Sequence, residues 1–137
     1  MILNSCLIDY RTIIHGNAFD VMKDNDQFTL LIVDDEQDVR SAIKRYFTRR
    51  PYRLLTAEDG GLALDMISQN AVSLMLLDLK MPGMNGLDVL KEALQIQPEL
   101  KVIMLTGQGG VQEAVAAMKL GAVDFFENSL SPQVLRN

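Results

Sequence analysis

The chain has 137 residues, 48% of them hydrophobic, which fits one globular domain with a substantial core rather than a disordered chain. Its 18 acidic and 13 basic residues give a formal charge of −5, which argues against a nucleic-acid-binding surface. The single cysteine excludes an intramolecular disulfide and a cysteine metal site.

Residues 1–27 come first and show no regular periodicity, so we interpret them as an N-terminal extension to a domain that spans residues 28–137. The first 14 residues lack a basic leader and carry Asp9 within their apolar part, which makes them a poor signal peptide. No stretch approaches the ~20 apolar residues of a membrane span. We therefore expect a cytoplasmic protein without membrane contact.

From residue 28 onward, short apolar runs alternate with segments of helical periodicity. Strands are predicted at 28–33, 52–57, 72–78, 101–106 and 123–126. Helical segments are predicted at 34–50, 58–69, 85–97 and 111–121, the last closed by Gly121, and another helix opens at Ser131 and Pro132. This strict alternation predicts an α/β fold, an open doubly wound domain whose parallel sheet is covered on both faces.

Three of these helices carry apolar residues at helical spacing, which predicts the face that each one buries. The residues are Val39, Ile43, Tyr46 and Phe47 in the first helix, Leu62, Leu64, Met66 and Ile67 in the second, and Leu87, Leu90 and Leu94 in the third.

Polar side chains follow three of the predicted strands. Asp34 and Asp35 follow the first strand, Asp78 ends the third and Thr106 ends the fourth. In an open parallel sheet the site lies outside the carboxyl ends of the strands, so three carboxylates converge if strands one and three are neighbours. Such a cluster needs raised pKa values or a cation, and Mg²⁺ suits an all-oxygen ligand set. For Asp34 or Asp35 alone, a helix N-cap is the alternative.

Four segments, LLIVDDE, LLDLKMPGMNGLDVL, VIMLTG and GAVDFF, occur in this order along the chain. With them, the chain from Phe28 onward resembles the receiver domain of bacterial two-component response regulators. The resemblance implies a flavodoxin-like sheet of five parallel strands in the order 2-1-3-4-5. Compared with that family, the last helix of this chain is shortened.

The resemblance also implies a phosphoacceptor and its metal ligands. Asp78 would accept a phosphoryl group from a phosphohistidine. Asp35 and Asp78 would bind Mg²⁺ (or Mn²⁺) directly, with Asp34 acting mostly through water and the backbone carbonyl of Lys80 completing the protein ligands.

Further residues take their implied roles from the same resemblance. Thr106 would donate its hydroxyl to the phosphoryl group, and Phe125 would be the aromatic residue that turns inward when Thr106 moves. The side chains of Lys80 and Gln108 would modulate the lifetime of the phosphoryl group. The alternative is that both are ordinary solvated loop residues without such a role.

The chain departs from the family after the fifth strand. Asn128 occupies the position of the usual lysine, and Ser129 occupies that of the proline. A cis peptide before a residue other than proline costs ~3 kcal/mol, so we expect a trans bond before Ser129. The departure affects signal transmission more directly than it affects the chemistry at Asp78.

The predicted function is therefore a receiver that signals by conformational change, with self-catalysed phosphoryl transfer and slow autodephosphorylation but no enzyme role. Its partners would be a sensor histidine kinase or phosphotransfer protein and an output domain, in a longer chain or in a separate protein, and a homodimer is compatible. A phosphorylation-independent pseudo-receiver is one alternative. An Asp-nucleophile phosphatase of the haloacid dehalogenase type is another, but the sequence Asp34-Asp35-Glu36 does not match its D-x-D pattern.

Overall fold

The computed structural model describes residues 28–47, 52–106 and 110–127, with only the backbone of Thr106 and Glu127. Within these ranges five strands alternate with four helices, as the sequence predicts. The strands are β1 (Thr29–Val33), β2 (Arg53–Ala57), β3 (Leu74–Asp78), β4 (Lys101–Thr106) and β5 (Asp124–Glu127). The helices are α1 (Gln37–Phe47), α2 (Gly60–Gln69), α3 (Gly86–Ile96) and α4 (Val111–Leu120). The predicted extension and the helix after Ser131 lie outside the described residues.

All the strand pairs are parallel, and the order in the sheet is β2-β1-β3-β4-β5. This result confirms the predicted fold class and strand order. The chain runs outward from β1 to β2 and then crosses to β3 on the other side of β1, so the strand order reverses between β1 and β3. An open α/β sheet presents its functional residues at such a switch point.

The core has two layers, one on each face of the sheet. Leu30 and Ile32 of β1 pack with α1, whereas Leu31 and Val33 pack with the helices of the opposite face. Every residue of β1 is buried, which is the expected pattern for a strand that is covered on both faces. The strand that leads into the acidic pair is therefore a rigid support.

Most of the predicted apolar face of α2 is confirmed, since Ile67 is buried and Leu64 and Met66 pack against the core, but Leu62 is an exception. Leu62 is 39% exposed, while Ala63 and Ile67 are buried. The reason is close packing against α3, because a Cβ placed on Gly60 would lie only 2.5 Å from Cγ2 of Val89. Small residues set the contact between these helices, and the larger Leu62 is turned outward.

The ends of α2, α3 and α4 lie within two residues of the predicted ones, whereas α1 begins three residues later than predicted and its predicted end lies outside the described residues. The apolar face of α1 is confirmed, since Val39, Ile43 and Phe47 are all buried. Gly121 ends α4 in a left-handed conformation with φ 115°, as expected for a glycine at this position.

Candidate functional site

Three carboxylates meet at the switch point of the sheet. Asp34 directly follows β1, and Asp78 is the last residue of β3. Val33 pairs with Leu77 in the parallel register, which places the next residues of both strands side by side. One carboxylate oxygen from each of Asp34, Asp35 and Asp78 lies within 4.8 Å of the other two. The predicted convergence of these three residues is therefore present.

The backbone and side chain of Asp34 are held by neighbouring groups. Its N–H donates to the carbonyl of Ala57 at 3.2 Å, and its Oδ1 accepts from the N–H of Glu36 at 2.9 Å. Only 2% of Asp34 is exposed. The side chain thus stabilises the turn before α1, which begins at Gln37, while its carboxylate also belongs to the cluster. The hydrogen bond to Oδ1 comes from the residue before the helix, so Asp34 stabilises the turn rather than capping α1.

Asp78 shows a similar local arrangement. Its Oδ1 accepts a hydrogen bond from the N–H of Lys80 at 3.3 Å, again two residues further along the chain. Asp78 is half-buried, whereas Asp35 is exposed. The cluster is therefore buried at Asp34 and open toward solvent at Asp35.

The electrostatics of the cluster favour protonation or a cation. Burial raises the pKa of Asp78 to about 8, and the negative charge of Asp34 adds to this increase. Burial also raises the pKa of Asp34 to about 6, against the hydrogen bond from Glu36 that lowers it. Negative charge on these carboxylates is thus unfavourable unless a proton or a cation offsets it, and the ligand atoms are all oxygen. This donor set fits Mg²⁺ or a similar hard cation.

The residues with an implied switching role lie on β4, which is next to β3, and on β5. Asp78 pairs with Leu105 of β4, so the backbone of Thr106 lies one residue beyond this pair. Phe125 of β5 pairs with Met104 and is a half-buried residue packed against the core. The Thr106 side chain, Gln108 and Asn128 lie outside the described residues.

The loop after Asp78 lines an open cavity. Lys80 has an exposed side chain, and the cavity of about 480 Å³ is bounded by residues of this loop: Leu79, Lys80, Met81, Pro82, Gly83 and Asn85. Met81 anchors the loop, since it is buried in the core. The carboxylates of the acidic cluster are not among the groups that line this cavity.

Two residues near the cluster were missed by the sequence analysis. Arg40 donates from Nη1 to the backbone carbonyl of Asp34 at 2.6 Å. Gly86 lies so close to the loop that its Cβ would be 2.8 Å from the carbonyl oxygen of Asp78. Neither contact has a signature in the sequence, because both involve backbone carbonyl groups that any residue carries.

The strand order and the three acids define a class of protein, the receiver modules of two-component signalling. The family model of the response regulator receiver domain matches residues 30–137, and the chain belongs to this family.

Curated and solved relatives agree with this assignment. The response regulator SaeR of Staphylococcus aureus is 36% identical over 106 residues, which cover 77% of this chain and 46% of SaeR. The chain thus spans about half the length of the curated relatives it matches. A receiver domain protein from Clostridium thermocellum has a TM-score of 0.71 at 32% identity and covers 79% of this chain and 87% of that one. The receiver domain of NtrX from Brucella abortus has a TM-score of 0.69 at 35% identity, and the match covers 78% of this chain and 91% of that one.

In the part of the chain that the structure describes, no helix combines the length and the apolar character needed to span a bilayer.

Proposed function

We propose that Asp78 accepts a phosphoryl group from a phosphohistidine of a sensor kinase or phosphotransfer protein. The observation that carries this proposal is the approach of the Asp34, Asp35 and Asp78 carboxylates to within 4.8 Å at the switch point. One oxygen of Asp78 accepts from the N–H of Lys80, so its second oxygen is the proposed nucleophile. That oxygen forms a bond to phosphorus as the bond between phosphorus and the histidine nitrogen breaks.

We propose Mg²⁺, or Mn²⁺ in its place, as the cofactor. Asp35, Asp78 and the backbone carbonyl of Lys80 would hold the ion directly. Asp34 would act mostly through water, which its burial and its hydrogen bond from Glu36 support. When bound, the cation offsets the negative charge of the carboxylates and of the phosphoryl oxygens during an in-line transfer.

The proposed response runs from Asp78 to the last strands. Thr106 would donate its hydroxyl to the phosphoryl group, and the half-buried Phe125 would change its packing as Thr106 moves. Lys80 and Gln108 would modulate the lifetime of the phosphoryl group. Asn128, in the position of the usual lysine, brings no positive charge to this pathway.

The wider biological setting is also proposed from family membership. Residues 28–137 would form the receiver domain, with 1–27 as an extension. The output domain would lie in a longer chain or in another protein, and a homodimer is compatible with the fold. The module would act in the cytoplasm, where its phosphodonor is presented, as a phosphoacceptor rather than an enzyme with an external substrate.

Phosphorylation with acetyl phosphate, followed by intact-mass measurement, tests this function. With Mg²⁺ we expect one added phosphoryl group on the wild-type chain and none on Asp78→Asn, which keeps the shape of the side chain but removes the nucleophile. Asp65→Asn is the matched control, because Asp65 is an exposed acid within α2. A phosphorylated Asp78→Asn variant would exclude Asp78 as the acceptor, and an unmodified wild type would favour the pseudo-receiver.

A further inference from the structure

Arg40 contacts the backbone of the acidic pair from the first turns of α1. Side chains in a helix point back toward its N-terminus, so Arg40 reaches the turn that precedes the helix. Its Nη1 donates to the carbonyl of Asp34 at 2.6 Å. We propose that Arg40 is a positioning residue that orients Asp35 for cation binding, an inference that rests on the proposed function.

The contact acts on Asp35 through the peptide bond that joins it to Asp34. This peptide unit is planar, so a group that holds the Asp34 carbonyl also fixes the plane that contains the Asp35 N–H. Asp34 is held by two further hydrogen bonds: its N–H donates to the carbonyl of Ala57, and its Oδ1 accepts from the N–H of Glu36. The direction of the Cα–Cβ bond of Asp35 then depends on only a few remaining rotations.

Asp35 has particular need of such support. It is the exposed member of the cluster, whereas Asp34 is buried and Asp78 is half-buried. Without the hydrogen bond from Arg40, the Asp34–Asp35 peptide can rotate and carry the Asp35 carboxylate away from the other two. Ordering that peptide would then reduce the favourable free energy of cation binding.

The charge of Arg40 makes the proposal testable by the sign of the effect. The guanidinium lies near enough to stabilise the ionised form of Asp34. By electrostatics alone, its removal would strengthen Mg²⁺ binding, since like charges repel. If Arg40 acts by positioning, its removal weakens Mg²⁺ binding although a positive charge has been lost.

The experiment measures Mg²⁺ affinity by calorimetry and by amide shifts, without a phosphodonor. For Arg40→Met, which keeps much of the side-chain length but has no donor, we expect the dissociation constant to increase about tenfold, in the range known for groups that orient metal ligands. Arg40→Lys should restore most of the affinity, because one N–H donor is sufficient for one carbonyl. Arg45→Met is the control, since Arg45 is an exposed cation in the last turn of the same helix.

The outcomes separate this inference from the proposed function. Unchanged or tighter Mg²⁺ binding by Arg40→Met, with a normal wild type, would overturn the positioning role and leave the proposed function intact. A wild-type chain that binds no Mg²⁺ would overturn both. If Arg40→Met does not fold, Arg40→Gln and Arg40→Lys are compared instead, and equal affinity for both would contradict the inference because glutamine is too short to reach the carbonyl.

Discussion

Gly86 and Leu79 are in direct backbone contact beside the proposed phosphoacceptor. The N–H of Gly86 donates to the carbonyl of Leu79 at 3.1 Å, and a Cβ on Gly86 would lie 2.6 Å from that same oxygen. Real Cβ atoms do not approach an oxygen so closely, so only glycine allows α3 to begin here. The start of α3 thereby fixes the backbone that follows Asp78.

Gly86→Ala should therefore destabilise the fold and disturb the site. We expect a loss of about 1–3 kcal/mol in the free energy of unfolding, since the new methyl group forces the loop backbone away. Slower phosphorylation by acetyl phosphate should accompany this loss. Gly61→Ala is the control, because its Cβ would meet only Oδ1 of Asp59 at 3.5 Å. Urea unfolding and intact-mass time courses check both variants, and equal behaviour would refute the steric argument.

Gln97, at the end of α3, forms hydrogen bonds with the end of α2 and with the segment that leads into β3. Its Nε2 donates to the carbonyls of Ile67 and Asn70 at 2.7 and 2.6 Å, and its Oε1 accepts from the N–H of Val72 at 3.2 Å.

Gln97→Ala should lower the free energy of unfolding by about 1–3 kcal/mol, because backbone groups lose their partners. Phosphorylation of the folded variant should be unaffected, since Gln97 contacts the segment before β3 whereas Asp78 ends that strand. Gln95→Ala, at an exposed position of α3, should change stability by less than about 0.5 kcal/mol. Thermal unfolding of the two variants decides the matter. A loss of equal size in both would contradict the bridging role.

The pH dependence of stability should report on Asp78. Its pKa rises from 3.8 to about 8 on folding, so the folded chain binds this proton more tightly than the unfolded chain does. The resulting stabilisation is complete below the ordinary value and is lost as the pH rises toward about 8.

Asp78→Asn removes this titration. Without Mg²⁺, the variant should gain stability relative to the wild type as the pH rises from 3.8 to about 8, because the wild type must there ionise a partly buried carboxyl group beside Asp34. Urea unfolding across this range, with Asp65→Asn as the control, measures the difference. Parallel pH profiles for wild type and Asp78→Asn would show that the cluster does not raise the pKa of Asp78.

Asn128→Lys should strengthen the response to phosphorylation. Asn128 lies outside the described residues, and the prediction rests on charge. The acyl phosphate with Asp34, Asp35 and Mg²⁺ retains about two negative charges, which an asparagine cannot offset. With a phosphoryl mimic such as beryllofluoride, Asn128→Lys should increase the amide shifts at Thr106 and Phe125. Gln95→Lys adds the same charge elsewhere as a control. Shifts that stay as in the wild type would show that the response does not depend on this charge.

Much of the fold could be predicted because its determinants are local in sequence. The buried strands are continuous apolar runs, and the acids at their ends mark the switch point. The approach of Asp34, Asp35 and Asp78 follows once β1 and β3 are neighbours, and this strand order was implied by the resemblance to receiver domains. Gly121 also behaves as predicted, since a left-handed residue at a helix end strongly favours glycine.

The missed features depend on contacts between distant segments. The exposure of Leu62 follows from the close approach of Gly60 to Val89, which no periodicity within α2 reveals. The role of Gly86 similarly depends on its distance to the backbone of Leu79. Arg40 looked like an ordinary helix cation, because a hydrogen bond to a backbone carbonyl leaves no pattern of residue types.

The position of each strand in the sheet has a consequence for the dynamics of the protein. β1 has β2 and β3 as neighbours and is fully buried, while β5 pairs with β4 at an edge of the described sheet. Local opening has the lowest free energy where buried contacts and hydrogen-bonded neighbours are fewest. Fluctuations should therefore begin at the edge strands β2 and β5, the latter with Phe125, and reach β1 and β3, which lead into the acids, last. A module built in this way can change shape at its margin while its chemical centre stays assembled.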